Sequence, residues 1–166
     1  MPEFLILAKL LHLVMQKGNA LKLLIVLHKA LLMGQLVFAG ICTYLVYTKA
    51  VFPAAAELEK VLQVAALIVT AGGVYAGLTI FKKKLVQVRD MQSDKEKFSL
   101  YRSALIIQWA LLEAPSLFCV ICFLLTGNYA FLALAVVLIF LFVMAAPSKT
   151  KMLTQLQLSE SELDEL

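Results

Sequence analysis

Charged side chains are scarce in this sequence, and their scarcity excludes most classes of soluble protein. Asp, Glu, Lys and Arg make up 16% of the 166 residues, apolar types make up 62%, and the mean hydropathy is +0.90. Soluble domains contain about 25% charged residues, and one domain of this size could not bury so much apolar surface. Disordered, collagen-like and soluble globular chains are excluded, and the sequence predicts that lipid is the main solvent of the folded protein.

Motifs that carry chemistry are also missing from the sequence. Its three cysteines are an odd number and lie in apolar runs, which argues against a disulfide framework. It has no paired intramembrane histidines for haem and no His, Cys and carboxylate cluster for zinc. It also has no P-loop, dinucleotide fingerprint, nucleophile elbow or HExxH motif. The sequence therefore predicts no metal and no cofactor, and it favours a protein that is not an enzyme.

The excess of basic residues has a simple interpretation in such a chain. The net charge is +4 and the sequence pI is about 9.0, values that can indicate nucleic-acid binding. Here the Lys and Arg residues stand in short tracts beside apolar runs, which is typical of charges that orient a membrane protein. We therefore expect membrane lipids and no nucleic acid as partners, with anionic headgroups at Lys82, Lys83 and Lys84.

Long uncharged runs indicate four membrane-spanning helices. Uncharged runs of 19 and 21 residues follow Lys29 and Lys60. The 46 residues from Ser103 to Ser148 contain one charge, and they are too many for one crossing of about 20 residues. A turn signal, Thr-Gly-Asn at 126–128, divides this run. The sequence therefore predicts an all-α, antiparallel, up-down bundle of four transmembrane helices, at about 30–48, 61–81, 103–126 and 129–146.

The distribution of positive charge predicts the orientation of this bundle. Thirteen of the 15 Lys and Arg residues lie before the first span, in the loop at 82–102 or in the tail. Only Lys49 and Lys60 lie on the other side. By the positive-inside rule, both termini and the loop lie in the cytoplasm. We therefore predict a multi-pass protein of the cell membrane, the inner or plasma membrane, with its transmembrane domain at 29–147.

An amphipathic segment precedes the predicted transmembrane domain. Residues 1–28 are mainly apolar, with Lys9, His12 and Gln16 in a narrow polar stripe. This pattern is typical of a helix that lies in the membrane interface. The part that begins at Ala20 is expected to continue into the first span as one long helix.

A polar tail, residues 148–166, follows the last span. Ser148 is a candidate cap for a short helix, and Ser159 with Glu162 matches a capping box. A short, solvated cytoplasmic tail is the favoured interpretation. A tail that folds back on the bundle or binds a partner is the alternative.

One acidic residue interrupts the third span. Glu113 lies eleven residues after Arg102, or about 16 Å along a helix, which is near the middle of a hydrocarbon core about 30 Å thick. An ionised carboxylate is costly at that depth, so we expect the group to be protonated, paired or in contact with water. One interpretation is a carboxyl that carries a proton or cation, or forms one arm of a ligand site. The other is a protonated side chain that hydrogen-bonds across helices and stabilises the bundle.

The surroundings of this carboxyl are polar as well. Pro115 has no N–H, so the carbonyl of Leu111 loses its helical donor. Residues spaced three and four apart share a helix face, and this face carries Trp109, Ser116 and, at its edge, Gln108.

The second span is rich in small residues. Gly73 and Gly77 form a G-x-x-x-G pair, and Gly72 precedes them. Such residues let two helix backbones approach closely, so we predict that this stretch packs against the third span. Thr70 and Tyr75 are then candidate hydrogen-bond partners for the acidic residue.

Cysteine and histidine have structural interpretations here. Cys119 and Cys122 form a C-x-x-C pair that elsewhere indicates redox or metal chemistry. Inside an apolar helix, thiolates are disfavoured, and with only Cys42 remaining there is no second pair. We predict packing cysteines, and we place His12 and His28 at the interface.

The stretch ALIIQWALLEAPSLFCVICFLL resembles the carboxylate-bearing helix of the rotary ATP synthase proteolipid (c) family, in which an A-L-x-E-A segment carries the ion-binding Glu. A glycine-rich span (AGGVYAG) and a basic polar loop precede it in the same order. The resemblance implies that Glu113 is an ion carrier. The chain departs from that family because extended alternating glycines are missing, Pro115 follows the Glu, and two further spans flank the hairpin, and we interpret the likeness as convergence.

The whole chain resembles a family of small bacterial four-span membrane proteins. Its matching features are an L-x-E-x-P centre, an L-T-G-N turn, a Pro-Ser-Lys start to the tail and a closing L-x-L-S, at 111–115, 125–128, 147–149 and 156–159. This resemblance implies the four-span fold and supplies no activity.

These observations favour a non-enzymatic accessory or scaffold subunit, or a small oligomeric bundle, in which Glu113 organises the core. Its partner would be a second copy or a membrane complex. The alternative is a small proton- or cation-coupled transporter or channel in which Glu113 titrates. A third hypothesis is an intramembrane enzyme that acts on a lipid or quinone, which should have a lipid-sized pocket near several polar groups.

Overall fold

The computed structural model describes residues 20–51 and 56–157, and these residues are helical apart from short connections. A 3₁₀ turn at Ala56–Leu58 precedes the second helix. The α-helices of the described residues are α1 Ala20–Tyr47, α2 Glu59–Arg89, α3 Asp94–Thr126, α4 Tyr129–Met144 and α5 Lys149–Leu156. No strand occurs in this part of the chain, so the all-α prediction is confirmed there.

Three of these helices, α1, α2 and α3, are long and apolar enough to cross a membrane. α4 has only 16 residues and ends two residues before the predicted end of the fourth span. It reaches the length of a span only together with α5, and the two helices meet at an angle of 68°. The described structure thus supports a multi-pass membrane protein with three candidate spans, or four if the bent pair counts as one.

α3 is the central helix of the bundle. Half of its most apolar stretch is buried inside the protein, compared with 17% for α1 and 11% for α2. α2, α4 and α1 all pack against α3, whereas α1 and α2 scarcely touch each other. Polar groups on α3 are therefore the ones that the fold brings into contact with the other helices.

The turn between α3 and α4 is determined by two residues. Gly127 ends α3 in the left-handed conformation (φ 69°) that glycine adopts without steric cost, and its N–H donates to the carbonyl of Phe123 at 2.8 Å. Asn128 then caps α4 by accepting a hydrogen bond from the N–H of Ala130 at 2.8 Å. The predicted turn at 126–128 is confirmed.

Buried apolar residues form two clusters along the bundle. The α5-end cluster contains Leu24, Val88, Tyr101, Leu105, Trp109, Leu112, Phe142, Met152 and Leu156. The turn-end cluster, near the connection of α3 and α4, contains Cys42, Ala66, Cys119, Val120, Cys122, Phe123, Phe131, Ala135 and Leu138.

The start of the tail packs on the bundle. Ser148 caps α5 by accepting from the N–H of Lys151 at 3.3 Å, as predicted. Met152 and Leu156 are buried, and the hydroxyl of Tyr101 donates to Gln155 at 2.8 Å. The prediction of a solvated tail is therefore wrong for α5, because the apolar face of α5 completes the α5-end cluster. The predicted capping box at 159–162 lies outside the described residues.

The start of α1 also belongs to the bundle. α1 begins at Ala20 and runs without a break to Tyr47, so the predicted continuation into the first span is confirmed. Leu24 and His28, which the sequence assigned to the interfacial segment, are buried. The polar stripe predicted before Ala20 lies outside the described residues.

Candidate functional site

The last turn of α4 is a polar node inside the bundle. A helix leaves its final carbonyl groups without intrahelical donors, and in an apolar setting those groups need other partners. His28 Nε2 lies 2.9 Å from the carbonyl oxygen of Phe142, and Trp109 Nε1 donates to the carbonyl of Ala145 at 3.1 Å. Lys151 Nζ donates to two more carbonyls, at 3.0 and 3.1 Å, those of Met144 and Ala146.

Aromatic packing holds this node together. Trp109 is fully buried, and its ring lies edge-on to His28 with centroids 5.1 Å apart. His28 in turn stacks on Phe142, with ring centroids 4.5 Å apart. α1, α3, α4 and α5 therefore meet at one point, and Trp109 serves both as a packing group and as a hydrogen-bond donor.

His28 is buried between helices, with only 4% of the residue exposed, and its depth at the membrane interface stays a prediction. Its hydrogen bond reaches a carbonyl 114 residues away, which no local pattern could reveal. One signal was present in the sequence. His28, Gln35 and Cys42 recur every seven residues, and this spacing places three polar or polarisable side chains on one face of α1.

Gln35 and Ser116 are two further buried polar side chains. Gln35 is 1% exposed, and neither its amide nitrogen nor its amide oxygen has a hydrogen-bond partner among the described residues. The same is true of the Ser116 hydroxyl. His28 contacts Trp109. Gln35 follows His28 by seven residues on α1, and Ser116 follows Trp109 by seven residues on α3. Since the two helices also meet again at Cys42 and α3 in the turn-end cluster, they run parallel, and Gln35 and Ser116 lie at one level.

Glu113 lies one turn from Trp109 and from Ser116 on α3, but it is bonded to neither of them. It is half-buried, and it forms no hydrogen bond or ion pair with another described residue. The predicted partners are engaged or turned away. Thr70 Oγ1 lies 3.7 Å from Cys119 Sγ, and 73% of Tyr75 is exposed. The structure brings Trp109 into the node and leaves the acidic residue at the edge of the buried face of α3.

The absence of a side chain at Gly73 allows α2 to pack closely against α3. A Cβ at Gly73 would lie 2.6 Å from the carbonyl oxygen of Leu111 and 2.6 Å from Cγ of Pro115. The carbonyl that Pro115 deprives of its donor is thus covered by the glycine. A Cβ at Gly77 would make ordinary contact, at 3.4 Å from Leu111, and one at Gly72 would meet no atom within 4 Å. Gly72 therefore takes no part in this contact, contrary to its grouping with the other two glycines.

The remaining candidates have separate environments. Cys42, Cys119 and Cys122 are free and buried in the turn-end cluster, as packing cysteines would be. Lys82 and Lys83 are exposed and Lys84 is half-buried near the end of α2. Within the described residues, no three His, Cys, Asp or Glu side chains converge as metal ligands. Comparisons of the chain with protein-family models, curated proteins and solved structures found no match.

Proposed function

We propose that the chain is a four-span protein of the inner or plasma membrane, with α4 as its fourth span and both termini in the cytoplasm. Three long apolar helices and the bent pair of α4 and α5 support the spans. The concentration of Lys and Arg before α1, between α2 and α3, and after α4 supports the orientation. On this proposal α5 and the 82–102 loop lie at the cytoplasmic surface.

Within that frame, we propose a non-enzymatic assembly subunit in which the Glu113 side of α3 binds a transmembrane helix of a second copy. The single observation behind this is the absence of a hydrogen bond or ion pair from Glu113 to any described residue. A carboxylic acid near the membrane midplane is expensive without a partner. When protonated it both donates and accepts, and so it can pair with the same residue of another copy.

The surface beside Glu113 suits close helix contact. Ala110 and Ala114 are exposed next to it on α3, and small residues let a second helix approach. The polar node and both apolar clusters occupy the adjoining face of α3, and Glu113 lies at the boundary between that buried face and the exposed alanines. Association through the Glu113 side would therefore leave the packing inside each copy unchanged.

The oligomeric state of the full chain in lipid nanodiscs tests this proposal. We expect wild type to form a dimer or a larger oligomer, Glu113→Gln to keep it and Glu113→Leu to lose it, because Gln retains the hydrogen-bonding shape. Tyr75→Leu, on the exposed side of α2, is the matched control and should behave as wild type. A wild type that is monomeric in nanodiscs would contradict the proposal.

Proton- or cation-coupled transport is the second candidate, and the partly exposed, unpaired carboxyl of Glu113 favours it as well. A bundle of four helices is thin for enclosing a transport pathway, so transport, like assembly, would favour an oligomer. Flux into liposomes separates the two functions, because a translocator needs an ionisable group. Wild-type flux that disappears in Glu113→Gln, with the oligomer intact, would support transport over assembly.

A further inference from the structure

A groove runs between α2 and α4 with α3 as its floor. Both helices pack on α3 and make little contact with each other. Its inner part, a cavity of about 220 Å³, is walled by Val74 and Leu78 of α2 and by Leu141 of α4. The adjoining mouth, of about 190 Å³, lies between Phe81 and α5. The groove is thus apolar inside and opens beside α5.

The mouth of the groove has polar and positively charged groups. Tyr101, Lys151 and Gln155 line it, and none of the described residues that line it is acidic. Two protons of the Lys151 ammonium bond carbonyls at the end of α4. An ammonium group has three protons, so one remains for an anion at the mouth. The charge at this position therefore complements a phosphate group.

Gln108 provides a second, independent sign of a ligand. It lines both the inner cavity and the mouth, and it is 7% exposed. Its side-chain amide forms no hydrogen bond with another described residue. A buried amide without a partner is costly, and a ligand carbonyl in the groove would satisfy its N–H.

We propose that this groove binds one anionic phospholipid of the leaflet on the α5 side. Its phosphate lies at Lys151, an ester carbonyl accepts from Gln108, and one acyl chain runs between α2 and α4. The lengths agree, because Phe81 and Val74 are seven residues apart, which corresponds to about 10 Å along α2, within a leaflet about 15 Å thick. The site does not involve Glu113 and is independent of the proposed assembly.

Native mass spectrometry of the full chain tests the proposal. The protein is reconstituted in vesicles of equal parts phosphatidylglycerol and phosphatidylcholine with identical acyl chains, then released into detergent. We expect wild type to retain one phosphatidylglycerol, with a preference of about tenfold over phosphatidylcholine, because the cationic choline group of phosphatidylcholine would lie close to the Lys151 ammonium. Equal retention of the two lipids by wild type would overturn the proposal.

Variants locate the site. Leu78→Trp fills the groove and should lose the bound lipid, whereas Val37→Trp, on the exposed side of α1, should keep it. Leu78 is 45% exposed, so a larger side chain fits without disturbing the core. If Leu78→Trp is not monodisperse, Met144→Trp replaces it, since Met144 lines the groove and is 60% exposed. Retention of the lipid by the folded groove variant would overturn the proposal.

A charge variant tests the headgroup contact. Lys151→Gln should abolish the preference for phosphatidylglycerol, and Lys22→Gln, which removes a charge from an exposed position of α1, should preserve it. Loss of the preference in both variants alike would indicate general attraction between basic side chains and anionic lipid, and would overturn the site.

Discussion

At the α5 end of the bundle, side chains from three helices donate to the last carbonyl groups of α4, whereas at the turn end the chain caps itself locally. Gly127 and Asn128 close the turn within a few residues, and Thr126 Oγ1 donates to the carbonyl of Cys122 at 2.7 Å. Each of these hydrogen bonds joins residues that are at most four apart in the chain. At the α5 end, the donors His28 and Trp109 come from helices far away in the chain.

The residues that follow each helix explain this difference. After α3 comes a glycine, which can adopt the left-handed conformation that caps a helix end. After α4 come Ala145, Ala146 and Pro147, which include no glycine and whose proline has no N–H. The N–H groups of Ala145 and Ala146 still bond the carbonyls of Leu141, Phe142 and Val143. The carbonyls beyond them, of Met144, Ala145 and Ala146, are bonded by side chains of other helices. Carbonyl groups beyond the last local hydrogen bond of a helix can thus determine where its neighbours pack.

Removing the indole of Trp109, at the α5 end, should have the largest effect on the free energy of unfolding. We expect Trp109→Ala to lower the free energy of unfolding by about 3–5 kcal/mol, because it empties a fully buried site. Trp109→Phe keeps most of the volume and removes the N–H, and should cost about 1 kcal/mol. Denaturant titration in micelles, followed by far-UV circular dichroism, measures both. A Trp109→Phe variant as stable as wild type would show that the bond to Ala145 contributes nothing.

The glycine contact between α2 and α3 lies between the two ends and gives a sharper comparison. Gly73→Ala should lower the free energy of unfolding by about 1–3 kcal/mol, because the new methyl group meets backbone and a proline ring. Gly72→Ala should be neutral or stabilising, since alanine favours a helix and nothing lies nearby. Gly77→Ala should fall between them. The same titration measures all three, and equal effects at Gly73 and Gly72 would contradict the close approach.

The smallest effect is expected at the turn end. Asn128→Ala should cost about 1 kcal/mol, because it removes the cap of α4 together with the bond from Asn128 Nδ2 to Glu59 at 2.7 Å. Asn128→Ser keeps a capping oxygen, but its shorter side chain cannot bond Glu59. The difference between the two variants in unfolding free energy reports the cap alone. If Asn128→Ser is as unstable as Asn128→Ala, the bond to Glu59 is the larger contribution.

Local patterns predicted the helices, the turn and the cap at Ser148, but they did not predict which polar groups meet. Trp109 was selected for its spacing from Glu113, yet the structure places its N–H at the end of α4. Gln35 carried no motif and is buried without a partner. The glycine contact was predicted in kind, and only the packing distinguished Gly73 from Gly72.

The sequence by itself determined that the chain is helical and apolar enough to cross a membrane, because hydropathy and charge spacing are properties of neighbouring residues. It also determined where α3 and α4 separate, because glycine and asparagine act on the backbone beside them. Only the tertiary structure decided that His28 is buried at the carbonyl of Phe142, that α5 packs on the bundle, and that Glu113 has no hydrogen bond or ion pair with another described residue. Those outcomes depend on which helix end lacks a donor and which helix lies beside it, and both are settled only when the helices pack.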